Sequence, residues 1–386
     1  MTRPTWFNRR EFLRSAGLTA LAARAGVPWA STPMNLPAPP KPQPPSRYAF
    51  VGAIGSTPGI YVYATGSEPW TLQQFVASPA PVSLTIHPTG RWLYALNGIA
   101  EYNGLPSGSI ESCQIDPRTG QLVLLCRQPL SLSATMPRHL AIAPGGKKLI
   151  VSVHGGGMYN MLPISEDGRL ARVREIFKET GRGPRPEQEK AHPQMAIFDS
   201  NGRAIAADLG CDRLTVFAIE DGLRVQARCE MPAGSGPRHL ALHPAGHLLY
   251  ATHGLEGALA GFAYDTGAGS IGRRLFEVRG VYAEALAMHP SGDFLFSAGR
   301  GGVTAWGIET GTGALRKLSE RRLAIDEASV ERHIAVHSLA PSAAGHSLVI
   351  LSETGVQRMG FDSARASLGE PAVMTSLSGA QSLAMV

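Results

Sequence analysis

One phrase recurs six times along this chain and begins a seventh. The copies are Leu84-Thr-Ile-His-Pro-Thr-Gly90, Leu140-Ala-Ile-Ala-Pro-Gly-Gly146, Met195-Ala-Ile-Phe-Asp-Ser-Asn-Gly202, Leu240-Ala-Leu-His-Pro-Ala-Gly246, Leu286-Ala-Met-His-Pro-Ser-Gly292 and, more loosely, Leu339-Ala-Pro-Ser-Ala-Ala-Gly345. Turn glycines at 90, 146, 202, 246, 292 and 345 set periods of 56, 56, 44, 46 and 53 residues. That is the length of a four-stranded blade with variable loops, and tandem blades close into a ring. The chain ends on Gln381-Ser-Leu-Ala-Met-Val386, the opening of one more copy.

The strand grammar within each unit agrees. An alternating run such as Leu240-Ala-Leu-His leads into a Pro-x-Gly turn, where proline fixes φ and glycine accepts positive φ. Apolar runs follow, such as Trp92-Leu-Tyr-Ala95 or Leu248-Leu-Tyr-Ala251, and then acidic turns, such as Asp116-Pro-Arg-Thr-Gly120 or Glu166-Asp-Gly168. Short strands with frequent turn signals predict an all-β fold. Residues 48–76 read as three strands with no inner partner, and Ser382-Leu-Ala-Met-Val386 supplies the missing strand. The expectation is a seven-bladed β-propeller of four-stranded antiparallel blades over residues 48–386, closed by pairing the two ends of the chain.

The N-terminal segment has different properties. Asn8-Arg9-Arg10-Glu11-Phe12-Leu13-Arg14 matches a twin-arginine export motif apart from its leading Ser/Thr, and a weakly apolar stretch, Ala16–Ala23, follows it. That stretch is too short to anchor a chain in a bilayer. Residues 1–30 are therefore expected to be a signal read by the twin-arginine translocation machinery, with a periplasmic or extracellular destination. Residues 31–47 are expected to be a proline-rich linker. The formal net charge of +6 includes five arginines and one glutamate within residues 1–30, which leaves about +2 for the rest. So small a surplus gives no reason to expect a nucleic-acid partner. The four cysteines, Cys113, Cys126, Cys211 and Cys229, have no zinc-like spacing, and the sequence leaves disulfides and free thiols both open.

Chemistry in such a ring belongs where the inner strands begin. The residues there are Pro137-Arg138-His139, His192-Pro193-Gln194, Pro237-Arg238-His239, Ala283-Glu284-Ala285 and Glu331-Arg332-His333. A second layer follows the second strands: Asn97, His154-Gly-Gly-Gly157, Asp208, His253-Gly254 and Gly299-Arg300-Gly301. Arginines and histidines around one axis suit a carboxylate or a developing oxyanion. His87, His243 and His289 sit in the repeated turn and read as structural. For His139, His239 and His333, a hydrogen bond shared by every blade explains the recurrence as well as catalysis does.

The phrases Gly234-Ser-Gly-Pro-Arg-His-Leu-Ala-Leu-His-Pro244, Ala207-Asp-Leu-Gly-Cys-Asp-Arg213 and Val153-His-Gly-Gly-Gly157 resemble the lactonase family of seven-bladed propellers, over residues 48–386. That family includes 6-phosphogluconolactonases and the carboxy-muconate lactonizing enzyme. The resemblance implies a lactone site at the channel mouth with no metal or other cofactor. It implies that His192, Arg238 and Arg300 are catalytic and that Arg138, His139, His154, Gln194, His239 and Glu284 bind substrate. Two positions depart from the family pattern. The second histidine of its His-x-His pair is Gln194, and the acid of its Asn-Glu-Leu phrase aligns with Gly254, two residues before Glu256. Glutamine cannot titrate, so His192, His139 and His253 become the candidates for the proton. The expected ligand is a small carboxylated or sugar-derived lactone, bound and hydrolysed. The alternative is a catalytically silent propeller that binds a ligand or a protein.

Overall fold

Seven four-stranded antiparallel sheets make up the fold in the computed structural model, which describes residues 47–220, 222–299, 302–323, 334–337, 346–352 and 355–386. Blades 2 to 7 each use four consecutive strands. Blade 1 is composite: Ala380–Met385 pairs with Tyr48–Ala53, which continues to Gly59–Ala64 and Thr71–Ala77. Val51 lies opposite Leu383, and the seam is locked by Arg47 N and Tyr48 N donating to Val386 O (2.7 and 3.0 Å) and Val386 N donating to Tyr48 O (3.0 Å). The export-signal and linker expectations fall on residues 1–30 and 31–47. The first 46 residues lie outside the described ones. Among the described residues no helix is long and apolar enough to cross a membrane.

The core lies between neighbouring sheets. Second strands are buried throughout, as in Trp92–Asn97 and Leu248–His253, while outer strands such as Leu122–Pro129 expose Val123 and Leu124. Tyr94 and Leu96 of blade 2 pack with Leu149, Val151 and Met158 of blade 3, and equivalent clusters join the other neighbours. Burying one such side chain contributes roughly 1.5–3 kcal/mol, so the blades are held chiefly by these interfaces.

The repeated turn adds a directional link. Gly90, Gly146, Gly202, Gly246 and Gly292 all have φ between +70° and +81°. His87 Nε2 donates to Gly146 O and His243 Nε2 donates to Gly292 O, each over 3.0 Å and each into the next blade. A carbonyl can only accept, so Nε2 carries the proton; Nδ1 then accepts the amide of Thr89 or Ala245. A Cβ on Gly146 would stand 2.5 Å from His87 Nε2. Only glycine admits both the turn and its neighbour's histidine. In blade 4 the position belongs to Asp199, which accepts Tyr264 OH of blade 5 at 2.8 Å.

Two copies of the phrase shift. The inner strand of blade 4 is Pro193–Phe198, with Ala196 at the buried position that Leu140 and Leu240 hold, so that copy starts one residue later than Met195. A slip of one residue exchanges sheet faces. In blade 7 the inner strand is Ile334–His337, and the loose copy at Leu339 falls outside the described residues. All four cysteines are free thiols. Cys113 and Cys126 do not oppose each other: Cys126 faces Ser112 and Cys113 faces Leu124, on opposite faces of blade 2.

Ring closure yields a test. A chain truncated after Gly379 loses the inner strand of blade 1 and exposes the edge of Tyr48–Ala53. We expect calorimetry to show no cooperative transition, or one at least 10 °C below that of the full chain; an unchanged melting temperature would refute the seam.

Candidate functional site

The inner strands of blades 1 to 6 begin with the same irregularity. Pro137 pairs with Val153 and His139 with Ser152, which leaves Arg138 as an extra residue. Equivalent shifts single out Gln381, Val82, Gln194, Arg238 and Glu284, where in blade 5 the irregularity also takes in His239. A bulge breaks the in–out alternation and re-aims one side chain. In blades 2 to 5 the preceding residue is proline, which has no N–H to leave unpaired. The inner strands of successive blades touch one another around the axis. Arg138, Gln194, Arg238 and Glu284 therefore occupy one structural position in four successive blades.

Around two of these bulges a specific constellation forms. Gln194 Nε2 donates to His192 O (3.2 Å) and to His154 Nδ1 (2.8 Å). The carbonyl fixes the amide orientation, so His154 Nδ1 accepts and its Nε2 carries the proton. Burial lowers the His154 pKa to about 3, and the charges of His192, Arg138 and Arg238 add to that effect. His154 is thus a neutral imidazole with an N–H to offer, within the field of two guanidinium groups. Its ring stacks on His192 at 4.2 Å. His192 Nδ1 donates to His154 O (3.1 Å), and its Nε2 lies 3.3 Å from Glu189 Oε2. The hydrogen bond to His192 lowers the Glu189 pKa below the usual carboxylate range.

Beneath this layer, Asp208 Oδ1 accepts the amides of His192 (2.9 Å) and Cys211 (3.0 Å). Its burial raises the carboxyl pKa to about 6 despite those bonds. Gln188, buried at the end of the short 3-10 helix Pro186–Gln188, donates to Leu209 O and Asp212 Oδ1, both at 2.7 Å. Those bonds seat the segment that carries Glu189.

The other expected site residues fall into four groups. Arg238 lies against the turn of its own blade: its stem occupies the place where the Cβ of Gly254 would be. A side chain at 254 would displace it, so the missing acid and the placement of this arginine are one feature. His139 and His239 follow the bulged arginines and are tied into strand pairing, His139 opposite Ser152 and the His239 amide donating to Thr252 Oγ1 (3.0 Å). Arg300 and His333 lie outside the described residues. His253 is corrected: it is fully buried, and burial lowers its pKa below the usual imidazole range, so it is no accessible proton carrier. Glu189 escaped the sequence reading; its signal is an acid three residues before a histidine. Among the described residues no three His, Cys, Asp or Glu side chains could hold a metal ion.

Asp208 and His154 affect stability in opposite ways as pH changes. Above pH 6 the folded protein holds a buried Asp208 charge that the unfolded chain would solvate, and this penalty fades between pH 6 and 3.8 as the folded state takes up the proton first. His154 takes its proton first in the unfolded chain, so it costs stability as pH falls from 6.5 toward 3. Asp208→Asn keeps the acceptor for His192 N. We expect it to raise the melting temperature by about 2 °C at pH 7.5, with the gain vanishing by about pH 4. A variant less stable than the parent at pH 7.5 would contradict this account.

The family model described as lactonase, 7-bladed beta-propeller, matches residues 50–279. The chain is 26% identical over 264 residues to a 6-phosphogluconolactonase of Bacillus subtilis, a match covering 65% of this chain and 74% of that one. Among solved structures, a putative 6-phosphogluconolactonase of Bacteroides fragilis superposes with a TM-score of 0.76 at 20% identity, covering 88% of this chain and 97% of the other. The periplasmic gluconolactonase of Pseudomonas aeruginosa superposes with a TM-score of 0.75 at 24% identity, covering 88% and 98%. These two structural likenesses bear on the fold alone.

Proposed function

The chain belongs to the lactonase family of seven-bladed β-propellers, and from that premise we propose that it hydrolyses a sugar-derived lactone where its inner strands begin. The observation that carries this reading is the neutral His154 N–H, fixed by Gln194 and stacked on the His192–Glu189 pair, with Arg138 and Arg238 at the bulges of the two flanking blades. Opening a lactone needs donors for the carbonyl oxygen as it gains negative charge, and a base for water. His154 Nε2–H and the guanidinium groups are the donors. His192 Nε2 takes a proton from water as the hydroxyl adds to the carbonyl carbon, and Glu189 stabilises the imidazolium. The bond to the ring oxygen breaks, that oxygen receives the proton from His192, the carboxylic acid so formed releases its own proton to solvent, and the carboxylate rests on the arginines.

Within this reading the chain is exported. The Arg9-Arg10 segment supports that. A lactone without a phosphate suits such a compartment. The relatives named 6-phosphogluconolactonase support the lactone chemistry.

Acid release from glucono-1,5-lactone, followed with a pH indicator at pH 7 and corrected for spontaneous opening, tests the proposal. We expect turnover above background. His192→Asn should lower kcat by about 10²–10⁴ with KM little changed, and Arg238→Ala should lower kcat/KM by about 10². No turnover over a panel of lactones, with gluconate binding retained in calorimetry, would instead support the silent ligand-binding propeller, for which Gln194 speaks.

A further inference from the structure

A concavity of about 300 Å³ opens on blade 6, beside the 280–282 connection from blade 5, at the same end of the strands as the bulges. Tyr282, Ser297, Thr304, Trp306, Lys317 and Glu320 are among its lining residues. Its volume lies at the lower end of small-molecule sites, which run from about 300 to 1,000 Å³. Tyr282 is 62% exposed, the most solvent-accessible aromatic ring among the described large hydrophobics outside the outer strands. Trp306 Nε1 donates to Ser297 Oγ (2.9 Å), leaving that hydroxyl a proton to give. Ser297 and Thr304 are cross-strand partners and share a face, as do Thr304 and Glu320. Lys317 Nζ and Glu320 Oε2 pair at 2.8 Å along the rim. One aromatic face, hydroxyls and a charged pair make a surface suited to a pyranose, which has an apolar C–H face and a rim of hydroxyls.

The cleft is joined to the candidate site by one short turn. Residues 254–257 connect two strands of blade 5, closed by Gly257 N donating to His253 O (2.9 Å). At its first residue the Arg238 stem lies over Gly254, and at its last the Tyr282 ring lies over Gly257. Both glycines lack the side chain that would push these groups away. The arginine of the candidate site and the aromatic ring of the cleft thus rest on opposite ends of a four-residue turn.

From this we infer that the cleft is a subsite for a second sugar unit, so that the preferred substrate is the lactone of a disaccharide acid rather than of a single sugar. The inference rests on the reading of the bulge site as a sugar-lactone site. In this arrangement the lactone ring sits against Arg238 and His154. Its glycosidic substituent runs over the turn and stacks on Tyr282, with its hydroxyls bonded to Thr304, Ser297 and the Lys317–Glu320 pair.

Two measurements separate the subsite from the hydrolase reading. In the first, kcat/KM is compared for cellobiono-1,5-lactone and glucono-1,5-lactone. We expect at least a tenfold preference for the disaccharide lactone, which Tyr282→Ala abolishes while changing the monosaccharide rate less than twofold. Equal rates on the two lactones, or equal losses on both in Tyr282→Ala, would overturn the subsite and leave the hydrolase reading standing. In the second, unreactive cellobiose is titrated against intrinsic tryptophan fluorescence, to which Trp306 in the cleft contributes. Binding weakened at least tenfold by Tyr282→Ala and by the near-isosteric Thr304→Val supports the subsite even if neither lactone is hydrolysed, in which case only the hydrolase reading fails. No cellobiose binding to the parent protein would overturn the subsite.

Discussion

The pairing of Ala380–Met385 with Tyr48–Ala53 is the contact on which the ring depends. Every other blade is continuous in sequence, so its four strands are near one another before any long-range contact forms. Blade 1 unites residues more than three hundred positions apart, at the entropic cost of closing a loop that contains nearly the whole domain. That closure yields more than backbone bonds. Ser382 Oγ donates to Pro81 O (2.7 Å), so the closing strand also carries the inner strand of blade 2. Leu140 N donates to Ser83 Oγ (3.3 Å), which repeats the relation one blade further on. The turn histidines tie blade to blade at the other ends of the same strands. Each link is worth about 1 kcal/mol alone, and together they join successive blades around the ring.

The candidate site follows from the geometry of that ring. Inner strands packed side by side present their first residues to one another around the axis. A bulge there lets one residue per blade leave the sheet's alternation without disturbing the core beneath it. The identity of that residue is unconstrained by packing, which is why Val82, Arg138, Gln194, Arg238, Glu284 and Gln381 can share one backbone position. The fold sets where the groups point, and the sequence at six positions sets what they do.

This division explains what could be read from the residues. Strand order, the seven blades and the shared first blade were legible, because alternation and turn glycines record burial and backbone conformation locally. The bulges were not, since nothing in Pro-Arg-His or Pro-Gln-Met marks an extra residue until the partner strand is known. The same ignorance put the blade 4 copy one residue early, hiding the equivalence of Gln194 with Arg138 and Arg238. Family-like phrases located His192 and Arg238, yet Glu189 sits in an irregular segment with no periodicity, and only the buried bonds of Gln188 bring it to His192. His253 is different: it ends the apolar run Leu248–His253, whose six residues are all buried, and it is paired on either side with Pro237 and Ala258.

Gln194 gains meaning once its bonds are known. A histidine there would lie beside His154 and two arginines, in a field that disfavours a second protonated ring. An amide escapes that field because it never titrates, and its fixed N–H holds His154 in the single tautomer that presents Nε2–H outward. In the proposed hydrolysis, proton exchange then belongs to His192 Nε2, next to a carboxylate that is largely exposed and keeps its charge. Under that proposal a glutamine at 194 separates two tasks that one ring would otherwise combine. His154 remains a neutral donor at any pH above about 4, being held near 3. The base of the proposed reaction then sits on a loop held by Asp208 and Gln188 rather than on the inner strand.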